Sequence, residues 1–317
     1  MKVTEHLQNT TRSLISFEIL PPLKGKSIGS LYRILDELMA FKPPFINVTY
    51  HRAEYKFKQL GNGLFERVYT RKRPGTVGIC AAIAFKYGID AVPHLVCGGF
   101  SRAETEDALL DLNYLGINNV LLLRGDAAVG EPTFSAEANG HRNALELVRQ
   151  AVNLNNGIYI DDDLQDPIKT DFCIGVAGYP EKHFEAPNAL ADLRYLKQKV
   201  DAGAHYIVTQ MFFDNKKYFD FVAQCRAIGI TVPIIPGIKP ITNIQQVSRI
   251  PGIFHIQIPD DLTKALENAK NKEAVRQVGM EWATMQSREL IAAKVPCVHF
   301  YTMSSVEPFK EIMKAIS

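Results

Sequence analysis

The sequence predicts an α/β protein built as a single (β/α)8 TIM barrel, on three observations. Eight short apolar segments recur along its 317 residues. Amphipathic helical patterns lie between them, the alternation expected of parallel βα units. The glycine motifs of a doubly wound nucleotide fold are missing, because the first apolar segment runs into Pro21-Pro22-Leu23-Lys24-Gly25 rather than Gly-x-Gly-x-x-Gly. Eight units in about 300 residues fit one closed barrel better than an open sheet, so a single domain over 1–317 is expected.

In chain order the strands are expected at Leu14–Leu20, Phe45–Tyr50, Ala91–Cys97, Asn119–Leu123, Phe172–Ala177, Tyr206–Phe213, Val232–Ile238 and Cys297–Met303. Each is a short apolar run, the pattern of a strand buried on both faces. Helices are expected at Ser27–Ala40, where Ile28, Leu31, Ile34, Leu35 and Leu38 recur near helical spacing, and at Ser101–Leu115, where Ser101 and Glu104 can form a capping box. Asn188–Ala202 is a third, with Gly203 as its C-cap, and Glu273–Ala293 a fourth. Gly130–Gly140 reads as a loop. Asn155–Thr170 reads as a polar insertion after a helix, its Asp161-Asp162-Asp163 triplet more readily a solvated loop than a site for a hard cation.

Composition narrows the function classes. With 36 basic and 34 acidic residues, net charge +2 and no basic block, neither nucleic acid nor an anionic membrane is an expected partner. No run of 18 apolar residues could span a membrane, and Glu18 interrupts the first apolar stretch, so no secretory signal is expected. The five cysteines (Cys80, Cys97, Cys173, Cys225, Cys297) form no ligand-spaced pair, which points to a reducing compartment, the cytoplasm by default, and to no metal site.

The chemistry-bearing residues stand at the carboxyl ends of the expected strands, where barrels build active sites. Glu18 is a carboxylate inside an apolar strand. It is either ion-paired within the barrel or a general acid whose pKa desolvation raises. Thr49 and Tyr50 offer a hydroxyl and an aromatic ring that could meet a flat ligand, though both are ordinary strand-end residues. His94 sits in an apolar run, and a hydrogen-bonded core histidine is the commoner reading. The run Val120–Leu123 ends abruptly in Arg124-Gly125-Asp126. Two charges at a strand end favour function over a salt bridge closing the barrel, and Gly125 permits close backbone approach. After the fifth strand, Tyr179 could cover a ring and His183 could bond a phosphate or ribose. Asp192 and Lys199, two helical turns apart, share a face that is otherwise read as solvated. Gln210 carries an amide able to read a pterin or a carboxamide. Pro236-Gly237-Ile238-Lys239-Pro240 makes a rigid turn, as readily structural as functional.

In this order, Ser16-Phe17-Glu18, Val48-Thr49-Tyr50, Pro93-His94-Leu95, Leu123-Arg124-Gly125-Asp126, Ala177 to His183, Asp201-Ala202-Gly203-Ala204, Thr209 to Asp214, Ile235-Pro236-Gly237-Ile238 and His299-Phe300-Tyr301-Thr302 resemble the methylenetetrahydrofolate reductase family over nearly the whole chain. The length resembles the form with the catalytic barrel alone. The resemblance implies FAD held non-covalently, NADH or NADPH as hydride donor, and ping-pong reduction of 5,10-methylenetetrahydrofolate to 5-methyltetrahydrofolate, which feeds methionine synthesis. By resemblance Glu18 is the catalytic acid and Asp126 the carboxylate beside flavin and folate. Thr49, Tyr50, His94, Arg124, Gly125, Asp126, Ala144, Tyr179, His183, Ala186, Asp192 and Lys199 match flavin-contacting positions. Gln210 and Gln246 match folate-contacting positions, and Gln210 with Thr49 would also meet the nicotinamide nucleotide. Ser305 stands where many members carry an arginine, Ile250 replaces an aromatic, and Tyr195 and Gln198 replace polar and basic flavin contacts. The alternatives are a flavin-free barrel lyase, a pterin-dependent methyltransferase, or a non-catalytic folate-binding barrel. A homo-oligomer is the expected assembly.

Overall fold

A computed structural model describes residues 1–316 apart from 62, 129 and 304, and at 54–56 and 69 the backbone alone. Helix α1 (Val3–Gln8) precedes strand β1 (Leu14–Ile19) and α2 (Gly29–Met39). Strand β2 (Phe45–Val48) leads into an antiparallel hairpin, β3 (Glu54–Gln59) and β4 (Phe65–Thr70), and then α3 (Thr76–Tyr87). Strands and helices then alternate: β5 (Asp90–Val96), α4 (Arg102–Tyr114), β6 (Asn119–Leu123), α5 (Ala144–Asn155), β7 (Cys173–Gly178), α6 (Ala189–Asp201), β8 (Tyr206–Met211), α7 (Asn215–Ala227) and β9 (Ile234–Ile238). Helices α8 (Gln245–Phe254), α9 (Asp260–Glu267) and α10 (Lys272–Ala292) separate β9 from β10 (Cys297–Tyr301), and α11 (Glu307–Ile316) follows.

Eight of these strands close a parallel barrel in the order β1-β10-β9-β8-β7-β6-β5-β2. They are the eight expected from sequence, with ends that differ by at most two residues. The four expected helices are α2, α4, α6 and α10. The capping box forms at Ser101, whose hydroxyl accepts from the Glu104 amide while Glu104 takes the Ser101 amide. Sequence patterning missed the β3–β4 hairpin. Its strands mix Lys58, Glu66 and Arg67 with single aromatics, so no apolar run marks them. It also missed α3, which is apolar on most sides and lacks a clear polar face.

Alternation along each strand divides the core in two. Outward residues pack on the helices: Phe17 stacks with Phe300 at 6.0 Å, and both meet Phe309 of α11. Each of these rings is fully buried, and truncating one to alanine typically costs about 3–5 kcal/mol. Inward residues Phe45, Val92, Leu121, Cys173, Tyr206, Ile235 and Cys297 fill the lower barrel. Gly175 makes room for Tyr206, since a Cβ there would lie 2.3 Å from its ring. Helix α1 plugs this end. Val3 joins the inner cluster, its amide donates to Asn119 Oδ1 at 2.8 Å, and the Met1 ammonium and His6 both hold Asp90. The opening is therefore left at the carboxyl ends of the strands.

The loop after α5 enters β7 from the plugged end, opposite that opening. Asn155 pins its base, accepting from the Phe172 amide and the Thr170 hydroxyl. The acidic triplet it carries is exposed.

Helix α10 lies against the chain after β9, where a Cβ on Gly279 would stand 1.7 Å from the Ile241 carbonyl oxygen. Backbone cannot yield as a side chain can. Gly279→Ala should lower stability despite the roughly 1 kcal/mol that alanine gains in helix propensity, whereas Gly252→Ala in α8, with open space around it, should be neutral or stabilising. Urea unfolding of the two variants separates these outcomes, and equal midpoints would contradict the close approach.

Candidate active site

Strand alternation turns Ser16 and Glu18 of β1 into the barrel and Phe17 and Ile19 out of it. Register places Ser16 beside His299 and Glu18 beside Tyr301 of β10, with Asn47 of β2 on the other side of Glu18. Ser16 Oγ and His299 Nδ1 share a hydrogen bond of 2.8 Å, and Asn47 Nδ2 lies 3.4 Å from the same nitrogen. Glu18 Oε2 stands 3.6 Å from His94 Nε2 and 3.9 Å from His299 Nε2, with 13% of its side chain exposed. A polar column thus rises from buried Ser16 and Asn47, through His299, to a carboxylate at the mouth.

This arrangement corrects one expectation. Burial does push the Glu18 carboxyl up, but His299, His94 and the Thr49 hydroxyl outweigh it and hold the group below the ordinary carboxylate value. His94 itself is pulled down to about 4, by burial first and against the opposing effect of Glu18. At neutral pH the free site therefore holds an ionised Glu18 beside a neutral His94. His94 Nε2 and Thr49 Oγ1 are buried without a hydrogen-bond partner of normal geometry, the kind of orphaned polar atom that calls for an explanation.

A second cluster forms where β6 and β7 end. Arg124 was expected to pair with Asp126 if the pair were structural. Its guanidinium instead pairs with Glu185 and lies 5.0 Å over the Phe134 ring, leaving Asp126 exposed. The salt-bridge alternative is thus not the pairing formed, and Gly125, at φ +82°, turns the chain between the two charges. The loop after β7 folds back on itself: Tyr179 packs edge-on to His183 at 4.7 Å, and the His183 amide donates to Asp192 Oδ2 at 2.9 Å. Lys182, at φ +75°, donates to the Ala186 carbonyl at 2.7 Å. Lys199 is buried rather than solvated. It donates to the Ala177 carbonyl at 2.7 Å, and burial pulls its ammonium down to about 8, with Asp192 opposing. Arg124, Lys199, His183 and Asp192 thus share one electrostatic neighbourhood.

The other candidates lie around these clusters. The buried Tyr50 ring rests against Phe100 at 5.1 Å, and its hydroxyl accepts from Arg71. Ala144 opens α5 and is buried beside the Leu145 amide that donates to Tyr195 Oη. Gln210 sits at a break in the β8–β9 register, its side-chain oxygen accepting from the Met211 amide. Gln246 Oε1 accepts from the Thr242 amide at 2.7 Å, closing the loop after β9. Ile250 is buried in a satellite core with Met211 and Phe213, and Ser305 is exposed.

Sequence reasoning gave no role to Ser16, Asn47, His299, Tyr301 or Lys239. His299 had a usable signal, being a polar residue within an apolar strand, as Glu18 is. Among the described residues the acidic triplet is the one cluster with metal-ligand spacing, and it is far from the mouth. Among these residues, too, no helix is long and apolar enough to cross a membrane.

Comparison with known proteins follows this geometry. A sequence profile of the family described as methylenetetrahydrofolate reductase matches residues 2–317. A probable methylenetetrahydrofolate reductase (NADH) of Oryza sativa subsp. japonica is 35% identical over 96% of this chain and 48% of its own length. The chain thus spans about half the length of the plant relatives it matches. A 5,10-methylenetetrahydrofolate reductase of Pectobacterium carotovorum is 31% identical, covering 92% of this chain and 86% of that protein. A structure from Clostridium thermocellum, described as an uncharacterized protein that binds two copies of 5-methyl-5,6,7,8-tetrahydrofolic acid, shares the fold with TM-score 0.59 at 14% identity, covering 99% and 97% of the two chains.

The depressed pKa of His94 makes stability pH-dependent in a definite direction. Between about 4 and its ordinary value of 6.5, the unfolded chain binds a proton that the folded chain refuses. The stabilisation from a neutral His94 is complete above 6.5 and is lost as pH falls towards 4, by up to about 3 kcal/mol. His94→Gln should flatten that part of the stability profile in denaturant titrations. A wild-type slope in the variant would mean that His94 is not buried in its neutral form.

Proposed function

The chain belongs to the methylenetetrahydrofolate reductase family, and on that premise we propose that it reduces 5,10-methylenetetrahydrofolate to 5-methyltetrahydrofolate with NADH or NADPH as donor and FAD as non-covalent cofactor. The observation that carries this reading is Glu18, a carboxylate set among His94, His299 and Thr49 at the open end of the barrel.

When bound, FAD would relay hydride between the two substrates. The residues present fit such a group. Thr49 Oγ1 and His94 Nε2 are buried near Glu18 without a hydrogen bond of normal geometry, which suits a ring with polar edges. Arg124, His183 and Lys199 offer donors to an anionic portion, and Gly125 at the strand end allows close backbone approach. Tyr50, Ala144, Tyr179, Ala186 and Asp192 would line the remainder.

The chain's own groups then manage the proton. The bridged ring of the substrate must open to an iminium ion before it accepts hydride, and opening needs a proton on N10. Glu18 would deliver it, directly or through water. In the free site the carboxyl is ionised, yet burial already opposes that charge. Ligands that displace water from the mouth strengthen this opposition and drive the group towards its protonated form. Asp126, exposed at the rim, would set negative charge beside the developing cation. Gln210 and Gln246 would read the polar edge of the pterin, and Gln210 with Thr49 would also meet the nicotinamide. One site serving both substrates makes the order ping-pong. The setting proposed is cytoplasmic, as a homo-oligomer feeding methionine synthesis. The five free, buried cysteines suit such a reducing compartment.

Anaerobic mixing of the protein with NADH or NADPH, then with methylenetetrahydrofolate, should bleach and then restore flavin absorbance. A colourless protein that FAD cannot reconstitute would favour the flavin-free barrel. Glu18→Gln should lose the folate half-reaction by about 10²–10⁴-fold, the usual worth of a general acid, while flavin reduction by the nicotinamide continues. Intact rates in both halves would remove Glu18 from the chemistry. Asp126→Asn should slow only the folate half-reaction.

A further inference from the structure

Lys239 is a cation buried at the barrel mouth that the chemistry above does not use. It follows the last residue of β9 and is only 8% exposed. Its ammonium makes no hydrogen bond or close ion pair among the described residues. Register locates it. His299 pairs with Gly237 and Phe300 with Ile238, so the next step sets Lys239 level with Tyr301, and Tyr301 pairs on its other side with Glu18. Lys239, Tyr301 and Glu18 therefore stand at one level on three adjacent strands. Two inter-strand spacings of about 4.8 Å separate the outer two backbones, a gap that an extended lysine side chain can bridge.

Tyr301 does not fill that role itself. Its hydroxyl donates to the Thr209 carbonyl at 2.6 Å, and its ring leans over Gly237, where a Cβ would lie 2.5 Å from it. The groups facing Glu18 are thus His94 from β5, His299 and Tyr301 from β10, the Thr49 hydroxyl after β2 and Lys239 after β9. His94 is neutral at working pH, and Tyr301 is a neutral phenol. Lys239 feels Glu18 through space rather than as a close ion pair: burial brings its ammonium down to about 8, against the pull of the carboxylate. Linkage makes that pull mutual. An apolar side chain of similar length would fill the same space without desolvating a charge, so packing alone does not account for a lysine here.

We propose that Lys239 is a positioning residue acting through Glu18: its ammonium keeps the carboxylate ionised in the free site and so sets the pH range over which Glu18 can give up a proton to the substrate. The proposal rests on the reading of Glu18 as proton donor.

The sign follows from charge. Removing the cation disfavours the carboxylate, so the Glu18 pKa rises and its acid form persists to higher pH. Carbon-13 NMR titration of the glutamate carboxyls in the full chain reads this directly, with the Glu18 resonance identified by its absence from Glu18→Gln. The expected result is a Glu18 titration about one pH unit higher in Lys239→Met and in Lys239→Gln, and near its original position in Lys239→Arg. The alkaline limb of the folate half-reaction should move up with it. A Glu18 titration that stays put in both neutral variants overturns the proposal, as does a shifted titration with an unmoved limb. Full-rate folate reduction by Glu18→Gln would instead overturn the reading of Glu18 itself, whatever Lys239 does.

Discussion

Placing a carboxylate on the inner wall of a parallel barrel is the constraint around which this molecule is arranged. Glu18 cannot sit among apolar side chains unless its charge is matched or its proton retained. The structure meets the demand from neighbouring strands, first through His299 on β10, with the hydroxyl beyond β2 and the His94 ring of β5 beside it. Each of these polar groups then needs support of its own. Ser16 and Asn47 hold His299 from below, while His94 stays neutral.

The barrel is consequently graded along its axis. Its lower end is apolar and tightly fitted, down to the exchange of a side chain at Gly175 for the ring of Tyr206, and α1 seals it. The middle holds the buried polar side chains Ser16, Asn47 and His299. Glu18 and the charges around it stand at the mouth. A rigid lower barrel holds the strand ends, and the strand ends hold the charges, so the chemistry rests on packing that never touches a ligand.

The second cluster follows different physics. Arg124, His183, Asp192 and Lys199 come from one strand end, one loop and one helix, and are held by loop contacts and a β7 carbonyl rather than by pairing between neighbouring strands. The carboxyl ends of the strands thus carry two separately supported halves, one built around a carboxylate and one rich in cations.

The sequence by itself determined the barrel, its eight strands and the chemical types at their ends. These depend on local signals: apolar runs of strand length, and polar residues interrupting them. Glu18, His94 and Arg124 were visible because each breaks such a run. Tertiary structure alone decided the pairings and their electrostatic outcome. Arg124 chose Glu185 over its near neighbour Asp126, Glu18 was pushed down rather than up, and Lys239 came level with Glu18 although more than two hundred positions separate them. The reason is geometric. Which charge meets which depends on barrel closure and strand register, which join residues distant in the chain, and no window of sequence contains both partners.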